Sequence, residues 1–186
     1  MSIPSKPFVD IEVLNLSFRQ AVPADTEPLV ALINSAYRGE SSKRGWTTEA
    51  NFLDGQRTDA DEIGRLIATP GSMILLCYLD HDLIGSVHLE RSERGAYLGM
   101  FTVKPTLQSQ GIGKRFMEEA ERWVREEWGA TKIMMLVITL REELIAFYER
   151  RGYQRTGKFE PFPNDVRFGI PKVPNLQFEM LEKRLR

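Results

Sequence analysis

Residues 14–21, LNLSFRQA, alternate apolar and polar side chains, the period of a half-buried strand. Residues 24–38 switch period: Leu29, Leu32, Ile33, Ala36 and Tyr37 recur at helical spacing. Residues 39–57 lose both periods. They are polar, rich in Gly and Ser, and predict a loop with a short helix begun by Thr47 or Thr48. Residues 59–69 predict a second short helix, stopped by Pro70 and Gly71. The texture then becomes strand-like. SMILLCYL (72–79), the DHD turn and LIGSVHLE (83–90) read as a hairpin, and after a turn at 91–95 AYLGMFTV (96–103) is a further strand.

A long amphipathic run follows, to about Trp128, with apolar residues at 112, 116, 117, 120, 123 and 124 on one face and Gly129 as its cap. KIMMLVI (132–138) is a continuous apolar run, which predicts a strand buried on both faces. REELIAFYERRG predicts a short helix closed by Gly152. A strand begins at Tyr153, a proline-rich loop occupies 161–174, and NLQFEMLEKRL makes the last strand. The order is β-α-α-β-β-β-α-β-α-β-β, an α+β fold with a central mixed sheet. Residues 1–13, with Pro4 and Pro7, read as a flexible tail, and 14–186 as a single domain.

The chain has 186 residues, 42% hydrophobic and 27% charged, which suits one soluble domain. A net charge of -1 gives neither a nucleic-acid footprint nor a polybasic membrane patch. No stretch is long and apolar enough to span a bilayer, and MSIPSKPFVDIEV lacks the apolar core of a secretion signal. Cys77 is the single cysteine and sits in an apolar run, so it reads as core packing in a reducing, cytoplasmic setting. With His81 and His88 as the two histidines, no metal site is expected.

The residues between the third hairpin strand and the long helix carry the chemistry. QSQGIGK puts Gly111 and Gly113 where the helix starts. Free N–H groups and the helix dipole gather there, and the absence of Cβ atoms admits a phosphate close to the backbone. A plain tight turn explains the same glycines. The context YLGMFTVKPTLQSQGIGKRFMEEAERW resembles the acetyl-CoA motif of the GNAT acetyltransferases, whose core Gln/Arg-x-x-Gly-x-Gly/Ala is matched by Gln108, Ser109, Gln110, Gly111, Ile112 and Gly113. IAFYERRGYQRTG (145–157) is similar to that family's helix–turn–strand, in the same order and at about the same distance. The resemblance covers roughly residues 14–185. It implies the GNAT fold, a mostly antiparallel twisted sheet of about seven strands flanked by about four helices.

The resemblance also implies roles. Met100, Phe101, Thr102 and Val103 would pair through their backbone with the pantetheine arm, where the family sheet splays. The N–H groups from Gln108 to Lys114 would hold the pyrophosphate. Tyr148 matches the family tyrosine beside the thioester sulfur, where a phenol serves as acid to a departing thiolate; an amphipathic core tyrosine is the plainer alternative. Phe147 would line the channel or pack. Two positions depart from the family: Arg141 stands where many members have Asn, and Tyr97 where some have a Glu base. Arg141 would bind a cofactor phosphate, bind a substrate carboxylate, or cap the helix.

The implied reaction is direct transfer of an acetyl group from acetyl-CoA to an amine. Deprotonation of that amine has candidates rather than an assignment: Glu90 and His88 share a strand face, Glu40 and Glu49 lie in the 39–57 segment, and a water chain would also serve. Tyr37, Glu40, Trp46, Glu49 and His88 would help wall the acceptor. Arg38, Arg44 and Arg57, mixed with these carboxylates, point to a small polar or amino-acid-like acceptor. Exposed strand edges near the C-terminus suit a homodimer. Two other readings stay open: a non-catalytic acyl-CoA-binding or regulatory module on the same fold, and a nucleotide-dependent enzyme such as a dehydrogenase. The latter lacks both GxGxxG and a βαβ start here.

Overall fold

The computed structural model describes residues 15–93 and 95–186. The expected tail over 1–13, Leu14 of the first expected strand, and Arg94 in the turn at 91–95 lie outside the described residues. Alternation produces strand β1 (Leu16–Gln20), and the helical spacing after it produces α1 (Thr26–Tyr37), which buries Leu29, Leu32, Ile33 and Ala36. The short helix of the polar segment comes earlier than expected, as the single turn α2 (Gly39–Ser42). No helix starts at Thr47 or Thr48. The Thr48 hydroxyl is held by Ser42 Oγ at 2.6 Å and accepts the Ala50 N–H at 3.0 Å, which keeps this stretch in turns. Strand β2 (Leu53–Asp54) follows, then α3 (Ala60–Ala68), capped by Asp59, whose carboxylate accepts the Glu62 N–H at 2.8 Å.

The hairpin strands are β3 (Ser72–Leu79), β4 (Asp82–Ser92) and β5 (Gly95–Val103). Helix α4 (Ile112–Trp128) buries Ile112, Phe116, Met117, Ala120 and Val124 along one stripe. Its outer face carries Arg122 paired with Glu119 and Glu126 one turn away on either side. Then come β6 (Lys132–Ile138), α5 (Glu142–Glu149), β7 (Gln154–Pro161), β8 (Ile170–Pro171) and β9 (Gln177–Arg184). Gly129 and Gly152 follow α4 and α5 as expected, both with positive φ.

The main sheet has seven strands in the order β1-β3-β4-β5-β6-β9-β7, and β2 pairs with β8 in a separate ribbon. Every neighbour in the main sheet is antiparallel except β5 and β6. One face packs on α1 and α3 through Ile74, Leu76 and Met100. The other packs on α4 and α5 through Leu75, Cys77, Val87, Phe116 and Ile145. Strand β6 differs from expectation. Ile133, Met135 and Val137 are buried, but Lys132, Met134 and Leu136 are only half-buried. Ile133, Met135 and Val137 belong to the core shared with α4 and α5, and the alternate residues on the opposite face are covered less completely; along their edges, β5 and β6 pair only at Ala96–Ile133 and Tyr97–Met134, then part. The wedge between their C-terminal ends stays open, and one flank of β6 faces it. No helix among the described residues is long and apolar enough to cross a membrane.

Candidate active site

Two cavities open from that wedge. The larger, about 360 Å³, lies between the end of β5, the start of α4 and α5. The smaller, about 210 Å³, lies between β5, β6 and the chain after β7. They share one wall: Tyr37, Phe101, Arg141, Leu144 and Tyr148 line both.

Local rules explain how the wall is built. The register between β4 and β5 passes from Ser86–Thr102 to His88–Gly99, so Val87 stands opposite both Met100 and Phe101. This is a bulge, and it bends the strand and leaves an extra residue outside the ladder. Met100 takes a φ of 46° to make it. The Phe101 carbonyl accepts the Tyr37 hydroxyl at 3.1 Å. At the floor of the larger cavity, Ser109 and Gly111 both have left-handed backbone, with φ of 64° and 78°. Gly111 is the N-cap of α4, so the chain turns sharply into the helix, and the first-turn N–H groups, which lack intrahelical partners, belong to a stretch whose Gly111, Gly113 and Lys114 line the cavity. Gln108 does a different job. Its amide donates to the Val103 carbonyl at 2.9 Å and accepts the Trp46 N–H at 3.0 Å, clamping the 43–47 loop onto the glycine turn. Gly45 permits that approach: a Cβ there would come 2.3 Å from the Gln108 oxygen.

Tyr148 sits in α5 with Phe147 and Tyr153 edge-on at 5.4 and 5.7 Å. Only 5% of it is exposed. Among the described residues its hydroxyl has no hydrogen-bond partner, so its donor is available to whatever fills the cavities. Burial pushes the phenol well above its ordinary range, with Tyr37 adding to the push. It stays protonated at neutral pH. Phe147 lies between the Trp46 ring, at 5.6 Å, and the Arg151 guanidinium, 3.4 Å above its ring centre.

The electrostatics of the two cavities differ. Among the described residues, the larger is lined by Lys114, Arg141, Arg150 and Arg151 and by no carboxylate. The smaller has Arg38, Arg57 and Arg141 against Glu49. Glu49 is buried and bridges two of these cations: its carboxylate meets Arg38 Nη2 at 2.9 Å and Arg141 Nη1 at 3.1 Å. Arg141 also donates to Thr47 Oγ1 at 2.8 Å, while its Nε is buried without a partner. It occupies the N-cap position of α5, but its side chain does not cap the helix.

Tyr37, Trp46, Glu49, Met100, Phe101, Val103, Gln108, Ser109, Gly111, Gly113, Lys114, Arg141, Phe147 and Tyr148 all meet at these cavities. Others that the sequence singles out do not line them. Thr102 is buried, its hydroxyl turned back to the Met100 carbonyl. Ile112 is core, and Gln110 is exposed. Glu40 is exposed and paired with Lys43. Glu90 is exposed at the far end of β4. His88 is buried on the α3 side: Ser72 Oγ gives its proton to the Leu66 carbonyl, so it accepts from His88 Nε2 at 2.9 Å. Burial, with Arg57 adding, lowers the imidazole to about 4, so it stays neutral. Burial raises the Cys77 thiol to about 12, and the residue is core packing. The sequence reading missed the wall that Phe162, Phe168 and Phe178 give the smaller cavity. The single Phe162–Pro163 step in a proline-rich loop was its only trace.

The family model for the acetyltransferase (GNAT) family matches residues 31–153, and the chain belongs to that family. An uncharacterized N-acetyltransferase of Lactobacillus delbrueckii subsp. lactis is 28% identical over 114 residues. The match covers 57% of this chain and spans 65% of the length of that relative. Among solved structures, the spermidine N-acetyltransferase of Vibrio cholerae, in complex with CoA and spermine, superposes with a TM-score of 0.67 at 16% identity, over 91% of this chain and 95% of that one. A nourseothricin acetyltransferase gives 0.63 at 19%, over 92% and 99%. At these identities the likeness is one of fold.

Proposed function

We propose that the protein is an acetyl-CoA-dependent N-acetyltransferase acting directly on a small polar or amino-acid-like amine, with Tyr148 as acid to the leaving thiolate. The observation that carries this reading is the pair of cavities meeting at Tyr148 in the wedge between β5 and β6. The larger suits CoA. Its cations and the free N–H groups of the α4 start match phosphates, and the unpaired edge of β5 offers backbone groups to an extended amide arm. Acetyl-CoA supplies the acetyl group as an activated thioester.

The chain's part is placement and proton handling. The smaller cavity holds the acceptor so that its neutral nitrogen meets the acetyl carbon at the shared wall. As the C–N bond forms and the C–S bond breaks, sulfur takes the bonding pair and the Tyr148 proton. The proton lost by nitrogen passes to solvent, which reprotonates the phenolate. Both oxygens of Glu49 are engaged by guanidinium groups. Glu90 and His88 lie away from the cavities, so water is the acceptor of that proton.

A thermal shift with acetyl-CoA, CoA, NADH and ATP tests the cofactor. Acetyl-CoA and CoA should each raise the melting temperature, by roughly 5 to 10 °C at about 100 times the dissociation constant. A larger rise with NADH or ATP would end this reading. Tyr148→Phe should bind acetyl-CoA normally and lose about 100-fold in kcat; full turnover would leave a water, not Tyr148, protonating sulfur.

A further inference from the structure

The smaller cavity holds more positive charge than the fold uses. Arg38 and Arg141 share Glu49, and Arg141 still buries an Nε with no partner. Arg57 is a third guanidinium on the same wall. Among the described residues, no carboxylate lies within ion-pair distance of it, and its group rests on the face of Tyr37, 5.5 Å from the ring centre. It is half-buried, so its donors are neither fully hydrated nor satisfied by protein. The rest of the wall is apolar or aromatic, with Met135, Tyr97, Phe162, Phe168 and Phe178.

Building on the acetyltransferase reading above, we infer that the acceptor is an amino acid or a close analogue, with a free carboxylate and an apolar or aromatic side chain, and that Arg57 receives the carboxylate. Three physical arguments converge. A planar guanidinium with free N–H groups matches a carboxylate bidentately. An anion brought into a cavity that holds three guanidiniums and one carboxylate reduces its charge imbalance, whereas a polycation increases it. The aromatic wall gives the side chain a place out of water. This cavity is therefore unsuited to a polyamine such as the spermine seen with the Vibrio cholerae relative. Tyr37 and Tyr97 stay neutral, because burial raises both phenols against the opposing charge of Arg57, and they add no anion to compete for it.

Matched pairs test the inference: phenylalanine, methionine and leucine as free acids and as carboxamides, with spermidine beside them, each given acetyl-CoA and followed by thiol release. The free acids should exceed their carboxamides by roughly 10- to 100-fold in kcat/KM, the range of a charged hydrogen-bonded pair. Arg57→Gln should bring that ratio toward one, and Arg57→Lys should keep part of it. Arg57→Gln breaks no ion pair among the described residues, so it should melt within about 2 °C of the wild type. A ratio near one in the wild type, a preference for spermidine, silence toward all three acids, or a preference that survives Arg57→Gln would each overturn the inference. An acetyl-CoA thermal shift separates the two levels. If it is present without acid preference, the carboxylate inference falls and the acetyltransferase reading stands; if it is absent, both fall.

Discussion

Removing the charge of Glu49 tests the structural logic of the site most directly. Arg38, Glu49 and Arg141 are each only 6% exposed, so the bridge lies out of water. Glu49 Oε2 accepts from Arg38 Nε at 3.1 Å and Nη2 at 2.9 Å, and Oε1 accepts from Arg141 Nη1 at 3.1 Å. Glu49→Gln keeps the shape but leaves two buried cations with no anion between them. Removing one partner of a buried pair costs about 3 to 5 kcal/mol, because the stranded charge keeps its desolvation penalty. A domain of this kind has only about 5 to 15 kcal/mol in total. The loss is therefore a large fraction of the stability, and at about 2 to 4 °C per kcal/mol it lowers the melting temperature by roughly 6 to 20 °C. Urea unfolding measures it, with the slope against denaturant checking that the unfolding unit is unchanged.

Two controls sharpen the test. A dry pair is screened little, so the loss should persist at about 1 M salt, where the Debye length is only about 3 Å. Arg38→Met in the Glu49→Gln background should cost less than in the wild type, since it then removes a stranded charge; coupling of about 0.5 to 3 kcal/mol is expected between contacting residues. A loss under about 1 kcal/mol, or one that disappears in salt, would refute the reasoning, because it would mean that water reaches the bridge.

Two further outcomes follow from single residues. His88 is held near 4 in the folded chain against about 6.5 when unfolded, so the unfolded state binds more protons between those values. Stability should be complete above about 6.5 and fall as pH drops, reaching a loss of about 3 kcal/mol near pH 4, and His88→Gln should flatten that slope in equilibrium unfolding curves. Gly113 lies in the first turn of α4, and a Cβ there would meet Phe147 at an ordinary 3.6 Å. Gly113→Ala should leave the melting temperature unchanged or slightly raised while calorimetry shows weaker CoA binding; unchanged affinity would mean that the ligand does not approach this stretch of backbone.

The sequence exposes the larger cavity far better than the smaller one, and the cause is physical. The first is made of backbone and helix-end chemistry. A strand, a glycine turn and a helix start occupy residues 95–128 without interruption, and residues 141–153 add the rest. The turn and the helix start follow from local rules, so Gly111 and Lys114 stand out on the chain, while Tyr148 is picked out by the resemblance of residues 145–157 to the family's helix–turn–strand. Gln108 is legible by position but not by role. Its amide clamps a loop 62 residues away, a contact that depends on Gly45 and Trp46 being folded against it. The two-residue strands β2 and β8 carry no periodicity at all, so the ribbon that brings the chain after β7 against residues 53 and 54 leaves no trace to read. Glu90 and His88 illustrate the converse error. Alternation correctly puts them on one face, but it says nothing about which helix covers that face, and α3 covers it at His88.

The smaller cavity exists only after folding. Its wall draws on residues 37–57, 97–101, 135–148 and 162–178, and Arg141 reaches Glu49 across 92 positions. Its charge cannot be read from composition either. The chain as a whole carries -1, and residues 38–57 hold four cations against three carboxylates, which looks like an ordinary solvated loop. Folding sorts them. Glu40 and Asp54 stay at the surface near Lys43 and Lys172. Arg38, Arg57 and Glu49 turn to the smaller cavity, where Arg141 joins them. A nearly neutral protein thereby builds a pocket whose lining carries a net positive charge, three guanidiniums against one carboxylate. Substrate preference in such a site is a property of which charges the fold hides from water and which it leaves outside, and a count along the sequence averages over that difference.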